Sequence, residues 1–200
     1  MNSILNKLSS RIKITDEEFD SLYPEYLREL SSRHFSQYNT TMMAAQLLAD
    51  RSDRKILDIG SGVGKFCLIA SQVTNAQYTG IEVREDLVQI SQNLAQHLIQ
   101  NQPVFVHGCF TELDFSKFDA FYFFNSFEEY INPDCTLDAF LKKSDVTFHL
   151  LRKKLIEKLK DAPLEARVVT YYIKTEHLPD CYKLISTHED DHLKLWVKFK

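Results

Sequence analysis

Residues 55–73 set a short apolar strand, a turn holding three glycines and a helix in immediate succession. The strand is Lys55-Ile-Leu-Asp-Ile59, the turn Gly60-Ser61-Gly62-Val63-Gly64, and the helix Lys65–Val73. The whole chain has only five glycines, so three of them within five residues mark a special backbone. Small residues there let the chain turn sharply and let a ligand approach closely. The helix that follows presents unbonded N–H groups at its start. A unit of this kind belongs to α/β folds, which limits what the remaining chain can build.

The rest of the chain keeps the alternation. Tyr78-Thr-Gly-Ile81 reads as a second strand, and 84–100 as an amphipathic helix with Leu87, Ile90, Leu94 and Leu98 at helical spacing. Residues 103–107 read as a third strand. Residues 118–124 are almost wholly apolar, which suits a strand buried on both faces. A helical region over 135–160, broken near Ser144-Asp145, carries the stripe Phe148, Leu151, Leu155 and Leu159. Residues 167–173, 182–186 and 193–199 read as strands, the last two joined by a short polar turn. Strand and helix alternate four times before a terminal strand pair. This predicts a mostly parallel sheet with right-handed crossovers and an antiparallel hairpin at one edge.

The first fifty residues read as helical. Thr15-Asp-Glu-Glu18 has the form of a capping box, opening a helix with Phe19, Leu22 and Tyr26 on one face and Pro24 as a kink or end. Asn39-Thr40-Thr41 is a cap signal for a second helix over 42–49. The expected organisation is a helical cap over 1–50 and a ligand-binding domain over 51–200.

Composition excludes some classes. The apolar share of 44% and charged share of 26% are those of an ordinary globular protein. A net charge of −4 gives no general attraction to nucleic acid or anionic membranes. Cys67, Cys109, Cys135 and Cys181 have spacings of neither a disulfide framework nor a zinc site, as expected for reduced thiols in the cytoplasm. No leader pattern opens the chain, and no apolar run reaches the roughly 20 residues of a membrane span.

Glu82 closes the second strand, eighteen residues beyond Gly64. A carboxylate at that place can accept both hydroxyls of a ribose. Two details separate the turn from a dinucleotide site. The pattern is G-x-G-x-G, with Lys65 where G-x-G-x-x-G needs its third glycine, and Asp58 stands two residues before the first glycine. An acid near the turn suits a ligand that carries an ammonium and no pyrophosphate.

Asp58 to Gly64 with Glu82 resembles motifs I and II of the class I, S-adenosylmethionine (SAM)-dependent methyltransferases, over roughly residues 55–200. The resemblance implies a Rossmann-like three-layer α/β sandwich. Its seven-stranded, mostly parallel sheet ends in an antiparallel hairpin. It also implies SAM as cofactor. Asp58, Gly60, Ser61, Gly62 and Gly64 are then expected at the methionine end, Glu82 at the ribose, and Val83 beside the adenine. Cys109 stands where the family often has an acid for the adenine amino group, and Phe110 is expected to pack on the adenine face. Asn125, at the end of the fourth strand, is the expected polar residue beside the transferring methyl group and the acceptor. Gly-Cys-Phe and Asn-Ser-Phe, with the two motifs, are also similar to short segments of the non-SET histone-lysine methyltransferases.

Further lid or acceptor-pocket candidates are His34, Tyr38, Glu128, Glu129 and Tyr130. The resemblance leaves the acceptor open, with a small molecule or protein side chain favoured over nucleic acid, and no catalytic base is assigned. A domain that binds SAM or a nucleotide without turnover is the alternative. His188-Glu-Asp-Asp-His192 matches the letters of a zinc-protease helix but lies between two predicted strands, so it reads as a turn. Arg152-Lys-Lys154 with Lys158 and Lys160 reads as a solvated face near a helix C-terminus.

Overall fold

The computed structural model describes residues 2–124, 127, 130, 144–173 and 178–200. Seven strands form one sheet: β1 (Lys55–Ile59), β2 (Gln77–Glu82), β3 (Val104–His107), β4 (Ala120–Phe124), β5 (Arg167–Tyr171), β6 (Tyr182–His188) and β7 (Leu193–Lys198). Their order across the sheet is β3-β2-β1-β4-β5-β7-β6. Strands β1 to β5 pair in parallel, whereas β7 runs antiparallel between β5 and β6. The fold is therefore the three-layer α/β sandwich with a C-terminal hairpin that the sequence predicts.

Alternate side chains along each strand serve opposite faces. Ile56 and Tyr122 join one apolar cluster, while Leu57, Ile59, Phe121 and Phe123 join the other. The first cluster takes in α1 (Asn2–Ser9), α5 (Tyr38–Leu48), α6 (Lys65–Val73) and α7 (Glu85–Ala95). The second takes in α8 (Asp145–Asp161). Both faces of the sheet are covered, which is why β1 and β4 are apolar almost throughout.

The chain winds from β1 outward to β3, then crosses back to β4 on the other side of β1. This reversal opens a crevice at the carboxyl ends of β1 and β4, the place where ligands bind in open α/β sheets.

Several local expectations need correction. The step from β3 to β4 is made by two 3-10 turns, Phe110–Glu112 and Phe115–Lys117, so strand and helix do not alternate four times. The capping box forms as read: Thr15 Oγ1 accepts from Glu18 N–H, and Glu18 accepts from Thr15 N–H. The helix it opens, α2 (Asp16–Asp20), stops before Pro24, which starts α3 (Glu25–Arg28); α4 (Ser31–His34) follows. Tyr26 falls on α3 and is exposed, not on the inner face with Phe19. Helix α5 begins at Tyr38, so Thr40 and Thr41 lie inside it and do not cap it. Helix α7 ends at Ala95 rather than near residue 100. Ser144 is the N-cap of α8, accepting from Thr147 N–H; the expected helix before it, over 135–143, lies outside the described residues. No helix among the described residues is long and apolar enough to cross a membrane.

Candidate functional site

The Gly turn and the end of β2 are held against each other by hydrogen bonds. Gly60 N–H and Ser61 N–H both donate to Ile81 O, at 2.9 and 3.0 Å. Gly62 N–H donates to Glu82 Oε2 at 3.0 Å, and Arg84 N–H donates to Glu82 Oε1 at 3.0 Å. Ser91 on α7 donates from its hydroxyl to Gly62 O at 3.3 Å. The two motifs are thus one structure. Each Glu82 oxygen keeps acceptor capacity after these bonds.

One cavity is lined by both motifs. Asp58, Gly60, Ser61, Gly62, Glu82 and Val83 line it, as do Cys109 and Phe110. Gly64 does not line it; it supports the turn from behind. Ser61 Oγ is buried and has no hydrogen-bond partner among the described residues; it packs against Gly80 of β2, 2.7 Å from where a Cβ there would lie. Phe110 is buried and stacks on Phe127, with ring centroids 5.4 Å apart. Cys109 is not acidic and instead accepts a hydrogen bond from Thr111 Oγ1 at 3.0 Å.

Asp58 lies almost wholly out of solvent at the end of β1. Cys67 Sγ–H donates to its Oδ2 at 3.6 Å. Burial pushes its pKa up to about 8; the Cys67 hydrogen bond pulls the other way, and the Glu82 charge adds to the rise. The same burial, with Asp58 beside it, pushes the Cys67 thiol well up.

The N-terminal helices close the opposite side. His34, Phe35 and Ser36 line the cavity after α4. Ser36 Oγ is hydrogen-bonded to Tyr122 OH at 2.7 Å, and the Tyr122 ring stacks on Phe66 at 3.9 Å. Tyr23 OH donates to Val63 O in the Gly turn at 3.3 Å. Lys65 also lines the cavity, with its Nζ 2.7 Å from Asp16 Oδ1 and 2.8 Å from Asp20 Oδ1. Among the lid candidates, His34 and Tyr130 line the cavity, whereas Tyr38 is buried in the core and does not. Asn125, Glu128 and Glu129 lie outside the described residues.

Phe35, Ser36, Phe66, Tyr122 and Lys65 were not singled out from the sequence as site residues. Phe35 and Ser36 reach the strand ends only by tertiary packing, Lys65 and Phe66 open the helix after the Gly turn, and Tyr122 pairs with Asp58 across the β1–β4 ladder. His188-Glu-Asp-Asp-His192 forms the β6–β7 turn, with Glu189, Asp190 and Asp191 all at positive φ, so its two histidines do not share a helix face. On α8, Lys158 Nζ donates to Leu113 O at 2.7 Å and Lys154 pairs with Glu157.

Gly62 and Gly64 have different reasons to be glycine. Both have positive φ, +53° and +77°, where an alanine costs about 1–2 kcal/mol. A Cβ on Gly62 would meet nothing within 4 Å, while one on Gly64 would lie 2.6 Å from the Phe105 ring and 2.9 Å from Ser91 Cβ. Phe105 is buried and cannot swing away. Gly64→Ala is therefore expected to lose about 1–3 kcal/mol more stability than Gly62→Ala in urea titrations. Equal losses would mean that the Phe105 contact is irrelevant.

The geometry can be set beside known proteins. A family model described as a methyltransferase domain matches residues 50–181. No curated protein sequence matches the chain. An RNA methyltransferase from Salinibacter ruber, solved with S-adenosyl-L-homocysteine, superposes with a TM-score of 0.53 at 22% identity, covering 80% of this chain and 90% of its own. The magnesium protoporphyrin IX methyltransferase of Synechocystis, solved with SAM, gives 0.58 at 14% identity, covering 98% and 97%. A precorrin-6y C5,15-methyltransferase from Geobacter metallireducens gives 0.57 at 11%, covering 84% and 91%. At these identities the structures speak for the fold, and the family match, over more than half the chain, speaks for membership. The chain belongs to the methyltransferase domain family and has the class I methyltransferase fold.

Proposed function

We propose that this protein transfers a methyl group from SAM to a small molecule or a protein side chain, and that the cavity at the ends of β1, β2 and β4 holds the cofactor. The observation that carries the reading is the hydrogen-bonded union of Gly62 with Glu82 beside the buried Asp58. The residues present fit SAM. The space in front of Gly62 is open, and each Glu82 oxygen keeps acceptor capacity beside it. Glu82 would accept from the ribose hydroxyls, Val83 and Phe110 would flank the adenine, and Asp58 with Gly60–Val63 would hold the methionine end, with Gly64 shaping the turn. Cys109 would be a neutral neighbour of the base. Asn125 remains the proposed polar group beside the acceptor.

SAM would supply an electrophilic methyl group on a positively charged sulfur. The protein's task is alignment of donor and acceptor, which can lower a barrier by roughly 7–11 kcal/mol in favourable cases. Phe35, Tyr122, Phe124 and Phe127 give the cavity an aromatic wall that would limit water around that alignment. A general base is required only where the acceptor arrives protonated. An acidic chain supports an acceptor other than nucleic acid. So does the pairing of the cavity's lysine and arginine among the described residues, Lys65 with Asp16 and Asp20, and Arg84 with Glu82.

The proposal is tested by calorimetry with SAM, followed by a tritiated-SAM transfer assay against fractionated metabolites, proteins and RNA. Binding is expected, with label entering a metabolite or protein fraction. A protein that leaves SAM unbound at millimolar ligand would sink the reading, and label confined to RNA would overturn the acceptor class.

A further inference from the structure

We propose that Lys65 binds the carboxylate of SAM's methionine end, and that Asp16 and Asp20 of α2 position it for that task; the inference rests on the SAM reading above. Lys65 breaks a local rule. It is the first residue of α6, where the positive end of the helix dipole disfavours a cation. It is also only 3% exposed, and a buried ammonium is costly unless paired. Yet Lys65 is among the residues that line the cavity, as are Gly62 and Val63. Two carboxylates offset the cost, Asp16 at 2.7 Å and Asp20 at 2.8 Å.

An ammonium has three protons. Among the described residues Nζ makes one hydrogen bond, to Asp16 Oδ1, and one ion pair, with Asp20 Oδ1, that does not have hydrogen-bond geometry, so donor capacity is left over. The Phe19 ring, 5.9 Å from Nζ, gives only a weak contact. Buried donors are normally satisfied, so an unfilled one on a cavity wall points to an acceptor that arrives with the ligand. The first N–H groups of α6 also lack intrahelical partners and favour an anion at the same end. The acids that hold Lys65 are themselves held: Asp16 Oδ1 accepts from Tyr38 N–H at 2.9 Å, and Asp20 Oδ2 accepts from Ser31 Oγ. The site then separates the two charges of an amino acid, with Asp58 for the ammonium and Lys65 for the carboxylate.

The test compares two ligands that differ only in that carboxylate: S-adenosylhomocysteine and its decarboxylated form, S-adenosyl-3-thiopropylamine. Lys65→Met alone would leave Asp20 buried without its cation, so the variant used is Lys65→Met with Asp16→Asn and Asp20→Asn. Its fold is checked by thermal unfolding. Calorimetry should show about a tenfold or greater loss of affinity for S-adenosylhomocysteine, with the decarboxylated ligand within about twofold of wild type. Lys65→Arg, which keeps the charge, should retain most of the S-adenosylhomocysteine affinity. Equal losses for both ligands would make Lys65 a structural clamp and overturn the proposal, as would no loss for either. Wild type binding neither ligand would instead remove the SAM reading beneath it.

Discussion

Glu82→Ala should weaken SAM binding by about a hundredfold or more, measured by calorimetry at pH 7.5. Hydrogen bonds to a charged acceptor are worth roughly 1.5–3 kcal/mol each, and two ribose hydroxyls would lose theirs together. A second loss adds to this. Gly62 N–H and Arg84 N–H, at 3.0 Å from the two Glu82 oxygens, would be left without their acceptor, and the Gly turn would keep only its Gly60 and Ser61 bonds to β2. Glu82→Gln separates the two effects. Its amide can keep one acceptor oxygen for the turn, while it can no longer accept with both oxygens. An intermediate loss is expected for it, with the thermal midpoint nearer to wild type than that of Glu82→Ala. Unchanged affinity in Glu82→Ala would remove the ribose assignment altogether.

What could be read from the sequence was whatever local chemistry decides. The bounds of β1 and α6 are visible because an apolar run meets glycines whose backbone only they adopt easily. The Thr15 cap is visible because both its bonds lie within four residues. The misses share one cause, a partner distant in the chain. Helix α5 starts at Tyr38 because Asp16, from α2, accepts its N–H; Thr40 meanwhile spends its hydroxyl on Glu189, at 2.9 Å. The apolar spacing of Leu94 and Leu98 continues past the end of α7 because periodicity reports burial, not helical hydrogen bonding. There Asn101, at a φ of 45°, donates its side-chain amide to the carbonyls of Ser71 and Ala76, at 2.7 and 2.9 Å, and draws the chain off the helix axis.

The candidate site divides along the same line. Asp58, the Gly turn and Glu82 sit in a strand–turn–helix–strand unit, so their meeting follows from topology alone. Lys65 carried meaning in the sequence only as the absence of a third glycine. Its role depends on two acids some 45–49 residues earlier, on helices that touch the Gly turn through Tyr23, and on the cavity-lining His34, Phe35 and Ser36.

Asp58→Asn should make the protein more stable and a poorer SAM binder, with both effects growing as pH rises toward 8. The folded pKa of Asp58 is pushed up to about 8 from a usual 3.8, chiefly by burial. The folded state therefore holds this proton more tightly than the unfolded chain does. Its stabilising contribution is complete below pH 4 and falls away as pH rises to 8, by about 1.4 kcal/mol per pH unit. An asparagine has no proton to lose. The stability difference between Asp58→Asn and wild type, from urea titrations, should then climb between pH 5 and pH 8 and level off above. Whatever hydrogen bonds the new amide gains or lacks shift that difference by a constant, so the slope is the diagnostic quantity.

Binding has the opposite sign. To pair with an ammonium, Asp58 must first give up its proton, so SAM affinity should increase with pH up to about 8, and near pH 7 close to one proton should leave on binding. The proton count comes from calorimetry in buffers of different ionisation enthalpy. Asp58→Asn retains any titration of the ligand's own amino group and serves as the baseline. A wild type that releases no more protons than this variant would show that the buried acid is not the ammonium's partner. The linkage explains why a carboxyl group is kept where it destabilises the fold: it is neutral while the cavity is empty, and it becomes charged when a cation arrives to share the site.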